Sequence, residues 1–281
     1  MLLGRPEPFI DFKETFGHLP EPLKELFQKE GISPQGVLIG EFAGRDGAAA
    51  MIKAMEEGPG PILPIAALTG AEYGDINIYF KTWEQTRREV EKRGGKLLPL
   101  FFMAELALWH ALNGRWVSLL FKAFGFYTPC IGCHTYLHLL RIPLARHLGG
   151  KIISGERVYH NGDFKVNQTE LSLSWYGELA QAFGVKLLLP VKDIREGEDI
   201  KALLGMEWEQ DQQQLRCVLS GNYRDCRGKP WWEPESARKY IEIFLKPVAF
   251  KILEEGYRGN FSYLQIVRGA MEELCGQFYS S

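Results

Sequence analysis

The strongest chemical signal in the sequence is the order of four of its five cysteines. Pro129-Cys130-Ile131-Gly132-Cys133-His134 sets two thiols three residues apart on a turn that leads into a helix. Thiolates at that spacing face one metal, as zinc and iron–sulfur sites require, and a helix start favours the thiolate form. Cys217 and Cys226 follow, flanking the loop-forming stretch 218–225. Cys130, Cys133, Cys217 and Cys226 are therefore the candidate metal ligands. Three chemistries stay open: an iron–sulfur or redox-active thiol centre, structural zinc, or, for the first pair, small buried hydrophobes. Cys-x-x-Cys-His also serves covalent haem attachment. That use belongs to exported proteins, and Met1–Phe12, with Pro6, Glu7, Pro8 and Asp11, has no secretory apolar region. Cys275, beside Leu274 in an apolar helix, reads as core.

A second signal lies upstream. The apolar run 35–42 is followed by Ala43-Gly44-Arg45-Asp46-Gly47 and the alanine-rich stretch 48–55. Strand, glycine loop and helix in that order aim backbone N–H groups and a helix dipole at one point, a ready anion site. The loop lacks both G-x-G-x-x-G and the Walker Gly-Lys-Ser/Thr. Gly44, Arg45, Asp46 and Gly47 are the candidate phosphate contacts, with a plain tight turn as the alternative. Ser154-Gly155-Glu156-Arg157 follows another strand, at the edge where parallel sheets carry ligands. With His160, Lys165, Asn167 and Gln168 just after, Gly155, Glu156 and Arg157 read as a substrate or nucleotide site, or else as a solvated loop. Thr69, after a further strand, stands where an adenine or ribose would lie. His134 and His138 share a helix face; the first suits a partner of the cysteines, the second a core position. Arg87, Arg88, Lys92 and Arg93 read as a solvated basic face. Trp109, Trp116 and the phenylalanines from 101 to 126 exceed the needs of a core and suggest a lid or a homodimer contact.

Five strands are expected to position these groups: 35–42, 62–68, 96–102, 151–154 and 185–189. Helices are expected between them, at 48–55, 78–93, 106–124 (broken at Asn113-Gly114), 134–148 and 169–183. That alternation predicts an α/β fold with a doubly wound, parallel five-stranded sheet covered on both faces. Past Pro190 the pattern turns helical, at 235–255 and 261–279. The expected organisation is a helical lead-in at 1–34, a nucleotide-binding α/β domain at 35–190, and a cysteine-containing helical C-terminal extension at 191–281.

Phe42-Ala43-Gly44-Arg45-Asp46-Gly47 resembles the pyrophosphate loop of the N-type (PP-loop) ATP pyrophosphatases within the adenine nucleotide alpha-hydrolase-like superfamily, whose pattern after the first strand is S-G-G-x-D-S. Gly44 and Asp46 match it; Phe42, Ala43 and Gly47 depart from it. The order Cys130-x-x-Cys133, helix, Ile152-Ile153-Ser154-Gly155, Cys217 is similar to that of the tRNA 2-thiocytidine synthetase family, over roughly residues 35 to 226. This chain has Glu156 where that family has histidine, and its downstream cysteines are more widely spaced. The resemblance implies ATP with Mg²⁺ at Gly44–Gly47, and a 4Fe–4S cluster, with zinc the alternative, on Cys130, Cys133 and one of Cys217 or Cys226. It implies catalytic roles for Asp46, Cys130, Cys133 and Cys217. The implied reaction is ATP-dependent sulfur transfer through an adenylylated intermediate. Its rivals are a non-catalytic nucleotide-binding protein with structural zinc and an ATP-independent desulfidase or thiol-redox protein.

The chain has 281 residues, 33 Lys plus Arg against 35 Asp plus Glu, and a net charge of −2. That balance excludes wrapping nucleic acid with the whole surface and leaves the acceptor open between a small molecule and RNA. The most apolar stretch, 97–127, is interrupted by Pro99, Glu105, Arg115 and Lys122, so no membrane span is expected. A cytoplasmic protein is the expectation.

Overall fold

The computed structural model describes residues 6–58, 60–205 and 214–279; the first five residues of the expected lead-in lie outside these. Six strands form one sheet: β1 (Phe9–Ile10), β2 (Leu38–Glu41), β3 (Ile62–Ala67), β5 (Phe101–Met103), β6 (Lys151–Ile153) and β7 (Lys186–Leu188). Two more, β4 (Glu72–Tyr73) and β8 (Arg216–Cys217), pair antiparallel as a separate ribbon. The main sheet runs β1-β5-β3-β2-β6-β7 and every pairing in it is parallel. From β2 the chain winds outward one way through β3 and β5, then returns to lay β6 and β7 on the other side. The direction switches between β2 and β6, the place where a doubly wound sheet opens a crevice at its carboxyl edge.

All five expected strands are present. The sixth, β1, is a correction: two residues beside Pro6 and Pro8 give no apolar run to read, and it is the parallel register with Phe102 and Met103 that makes them a strand.

The helices are α1 (Glu21–Glu30), α2 (Arg45–Ala54), α3 (Asn77–Lys92), α4 (Leu106–Asn113), α5 (Val117–Phe124), α6 (Pro129–His147), α7 (Glu170–Ala182), α8 (Gly197–Leu204), α9 (Pro234–Lys239), α10 (Lys246–Tyr257) and α11 (Tyr263–Tyr279). A π-helical turn, Tyr240–Leu245, joins α9 to α10. Each strand feeds two cores because successive side chains point to opposite faces. Ile39, Ile65 and Ile152 pack with α6, α7 and the C-terminal helices, where Tyr240, Phe244 and Ile252 are buried. Ile62, Ala66, Phe102 and Ile153 pack instead with α2 and α8. Among the described residues, no helix is long and apolar enough to cross a membrane.

Helix α6 begins earlier than the sequence reading had it. Thr128 caps it by accepting from the Cys130 amide, and Pro129 takes the first helical position. Cys130 and Cys133 thus lie on the first two turns of α6 itself rather than on a turn before it. Arg87, Arg88, Lys92 and Arg93 pair with Glu84, Glu89 and Glu91 of their own helix, as a solvated face should.

Ile152 is fully buried between β2 and β7 and holds β6 in register. Ile152→Ala is expected to lower unfolding stability by about 3 kcal/mol, the cost of a core cavity, read as a shifted denaturation midpoint in urea.

Candidate functional site

The two polar loops at the switch point pack directly on one another. A β-carbon on Gly155 would overlap the Gly47 amide nitrogen and the Asp46 carbonyl group, so the chain after β6 lies against the chain after β2 with no room for a side chain. Arg157 then reaches back, and its Nε donates to Asp46 Oδ2 at 3.0 Å, while Arg45 Nε donates to Oδ1 at 3.1 Å. Burial opposes the Asp46 charge, but Arg157, Arg45 and Lys165 together hold its carboxyl below the usual range. Burial pulls the Lys165 ammonium down, with Asp46 opposing the shift. Arg157 Nη1 is shared between the carbonyls of Ile194 and Arg195, at 3.2 and 3.4 Å.

Above these loops is a cleft of about 310 Å³. Gly44, Arg45, Asp46, Gly47, Gly155 and Lys165 line one end. Cys133, His134, Cys217, Glu41, Glu72 and Thr69 line the rest. Of the sequence-derived candidates, Gly44, Arg45, Asp46, Gly47, Thr69, Cys133, Gly155, Glu156, Lys165 and Cys217 all border this space, and Arg157 underlies it through Asp46.

Thr69 is committed internally: its amide and hydroxyl both donate to Glu72 Oε2, at 2.9 and 3.1 Å. Burial raises the Glu72 carboxyl, although those two hydrogen bonds oppose the shift. Glu72 is also the register partner of Cys217 across the β4–β8 ribbon, which is how a cysteine so far along the chain reaches the cleft.

The thiols differ from the sequence expectation. Burial pushes Cys130 and Cys133 up rather than down, against the help of hydrogen bonds from Asn222 and Thr128 to the first and from Trp109 to the second. The helix-start argument for thiolate is overridden by desolvation. Asn222 Nδ2 lies 2.8 Å from Cys130 Sγ, and Thr128 Oγ1 donates to Asn222 Oδ1 at 2.9 Å, so the loop after β8 is tied to the start of α6. Trp109 Nε1 donates to Cys133 Sγ at 3.3 Å, giving this tryptophan a role inside the site rather than in a lid. Between the two thiols, Gly132 leaves no space for a β-carbon against Asn113 Oδ1. Cys217 and Cys226 are both exposed, the latter on a turn bounded by the Arg224–Pro230 bridge. Cys275 is half-buried on α11. Among the described residues, no three Cys, His, Asp or Glu side chains gather into a group that could hold a metal ion. As placed, each buried thiol is engaged by its own donor, and the cysteines do not form a cage fitting a cluster or zinc.

Glu156 is not free to meet a ligand. It is buried between two histidines, with His134 Nδ1 at 2.6 Å and His138 Nε2 at 3.2 Å. Burial alone would raise its carboxyl, but the two imidazoles overcome this and pull it down to about 2. An ionised carboxylate only accepts, so both facing ring nitrogens donate; His134 Nε2 is then left to accept from Asn167 Nδ2 at 2.7 Å. Tyr176 lies against both rings. The i, i+4 spacing of His134 and His138 announced their common face, but their shared carboxylate comes from the loop after β6.

Sequence reasoning missed Glu41, Arg141, Gln214 and Asn222. Glu41, an acid ending an apolar strand at the ligand-bearing edge, and Arg141, inside the apolar run 139–142, were legible as buried charges wanting partners. Gln214, whose side chain covers Gly44, and Asn222 carry no such mark.

No family model matches the chain. It is 52% identical over 264 residues to the uncharacterized protein MJ0009 of Methanocaldococcus jannaschii, covering 92% of this chain and 96% of that one. The chain belongs to the MJ0009 family. Among solved structures it aligns with the U34-tRNA thiolase NcsA from Methanococcus maripaludis, solved with its 4Fe-4S cluster, at 14% identity and a TM-score of 0.32, over 93% of this chain and 78% of that one. A likeness that weak leaves the MJ0009-family site to be read from its own residues.

Glu156 supplies a test. Its carboxyl falls from an ordinary 4.5 to about 2 on folding, so its stabilisation is complete above pH 4.5 and lost as pH drops toward 2. Glu156→Gln should cost roughly 1–3 kcal/mol at pH 7, and the gap to wild type should narrow between pH 4.5 and 2 in urea titrations. A gap independent of pH would contradict the assignment.

Proposed function

We propose that the chain is a nucleotide-activating sulfur-transfer enzyme of the PP-loop ATP pyrophosphatase type. The observation that carries this reading is that Cys133 and Cys217 border the same cleft as the loop 44–47 and Lys165. Phosphates would sit at the cationic end, against the loop amides, Arg45 and Lys165, with Mg²⁺ accompanying ATP as substrate. Asp46 is spent holding Arg157 and Arg45, so its role is to fix the loop. Attack of an acceptor carbonyl oxygen on the α-phosphorus expels pyrophosphate and leaves AMP as a good leaving group. A persulfide, placed on one of the two thiols by a persulfide-type donor, then attacks the carbonyl carbon and displaces AMP; the other thiol cleaves the S–S bond, releasing the thiocarbonyl product and leaving a disulfide that an external thiol reduces.

Lys165→Met is expected to weaken ATP binding by about tenfold, the loss of one charge-assisted contact, measured by calorimetric titration with ATP, AMP and pyrophosphate. Gly44→Val, which drives a side chain into the space of Gln214 at the loop, should weaken it as well. Wild-type protein that binds none of the three at millimolar concentration would rule the reading out. Stoichiometric iron and labile sulfide after anaerobic purification would replace the carrier-thiol version by one in which the cysteines draw together around a metal.

A further inference from the structure

The loop assigned to phosphates is covered by a side chain of the protein itself. Gly44 is the N-cap of α2, and among the described residues no side chain caps it by a hydrogen bond. A β-carbon on Gly44 would stand 2.3 Å from Gln214 Oε1, and the next nearest atoms are Gln214 Cδ and Cβ, at 3.3 and 3.5 Å. The carboxamide therefore lies on the loop, inside the cleft that Gln214 lines together with Gly44, Arg45 and Lys165. A carboxamide seated there and a phosphate seated against the same loop exclude one another. The phosphate prevails, because hydrogen bonds to an ionised acceptor are roughly twice as strong as those to a neutral one.

The backbone carries this exchange to the thiol end. Cys217 is three residues beyond Gln214, at most about 11 Å along an extended chain, and it borders the same cleft. Between them Leu215 packs on the core beside α2 and lies against Gly74, as a pivot. On the far side of that pivot β8 is held by its pairing with Glu72 and Tyr73 and by the Val218 amide, which donates to the Ala71 carbonyl at 2.8 Å. A two-stranded ribbon is a weak hold on its own. Cys217 is also the exposed thiol of the cleft, whereas Cys133 is half-buried.

We propose that Gln214 is a positioning residue for Cys217: seated on Gly44 it restrains β8, and a phosphate group entering the loop displaces it and frees Cys217 to react. The inference rests on the nucleotide reading of this cleft and adds an order of events to it. Sulfur on Cys217 is held back until the nucleotide is in place, so it is not spent before the acceptor has been activated.

The test uses the full chain, reduced and kept anaerobic, with pyrophosphate as the probe. Alkylation of Cys217 by iodoacetamide is followed by peptide mass spectrometry, with Cys226, exposed on its own turn, as the internal reference. Saturating pyrophosphate is expected to speed Cys217 relative to Cys226 by about threefold in wild type, the release of one hydrogen-bond-sized restraint. Gln214→Ala should show the fast rate without pyrophosphate and no further gain on its addition. By calorimetry the same variant should bind pyrophosphate about threefold more tightly, having no side chain to displace. Gln214→Met, which keeps the stem and removes the carboxamide, replaces it if the alanine variant fails to fold. A wild-type Cys217 rate that bound pyrophosphate leaves unchanged or slows would overturn the proposal. So would a folded variant whose Cys217 reacts at the wild-type rate, or one that binds pyrophosphate more weakly, which would make Gln214 a phosphate ligand. If wild type binds no pyrophosphate, the nucleotide reading falls, and with it the displacing ligand; the variant's rate without pyrophosphate then still decides whether Gln214 restrains Cys217.

Discussion

The contact between Gly155 and the Asp46–Gly47 backbone sets the spacing of everything at the carboxyl edge. Parallel pairing of β2 with β6 brings two loops side by side, but pairing alone leaves their separation to the side chains between them. With no side chain at Gly155, the loops touch, and Arg157 is close enough to bond Asp46 from the opposite side of the switch point. The buried ion pair then orders both loops: Asp46 is at the first turn of α2, and Arg157 is held in turn by carbonyls of the segment after β7. Three of the six strands are thereby referred to one carboxylate. Pairs of this kind contribute modest net stability, because desolvation consumes most of the attraction; what they supply here is registry between loops that lie over 100 residues apart.

From that fixed edge the cleft acquires two unlike ends. Arg45, Lys165 and the amides of the loop make one end a place for anions. At the other, burial raises both the Cys133 thiol and the Glu72 carboxyl, which disfavours their charged forms, and Glu41 faces Arg141 at 3.9 Å. Glu156, which also borders the cleft, has its negative charge shared between His134 and His138.

How much of this the sequence disclosed follows the range of the interactions. Strands β2, β3, β5, β6 and β7 were legible because each is an apolar run ended by turn residues, and the glycine loop because strand, loop and helix are consecutive. β1 was not, since it exists only through Phe102 and Met103. The start of α6 had a local signature in Thr128-Pro129, which the cysteine motif overshadowed. Cys217 was legible as chemistry but not as geometry: its place depends on a two-residue ribbon with Glu72. The thiol pKa went the wrong way because a helix terminus is a local property, whereas the desolvation that outweighs it comes from the packed interior, against the opposing hydrogen bond of Trp109. Glu156 was recognised as part of a functional loop, yet its clamp is made by residues on a helix some twenty positions earlier.

Buried polar atoms are almost always paired in folded proteins, so the exceptions mark where something other than stability has set the residues. Among the described residues, Glu41 Oε2, Arg141 Nε, His138 Nδ1, Tyr79 Oη and Tyr176 Oη are some of the atoms that lack partners. Electrostatic proximity joins them: Tyr79 feels Glu72 and Arg141, and Tyr176 feels Glu156, Cys130 and Cys133. His160, whose two ring nitrogens are also unpartnered among the described residues, lies instead in the field of Lys165, Arg157 and Asp46. Unsatisfied capacity therefore borders both groups of cleft residues, and two large apolar cores, one on each face of the sheet, offset its cost.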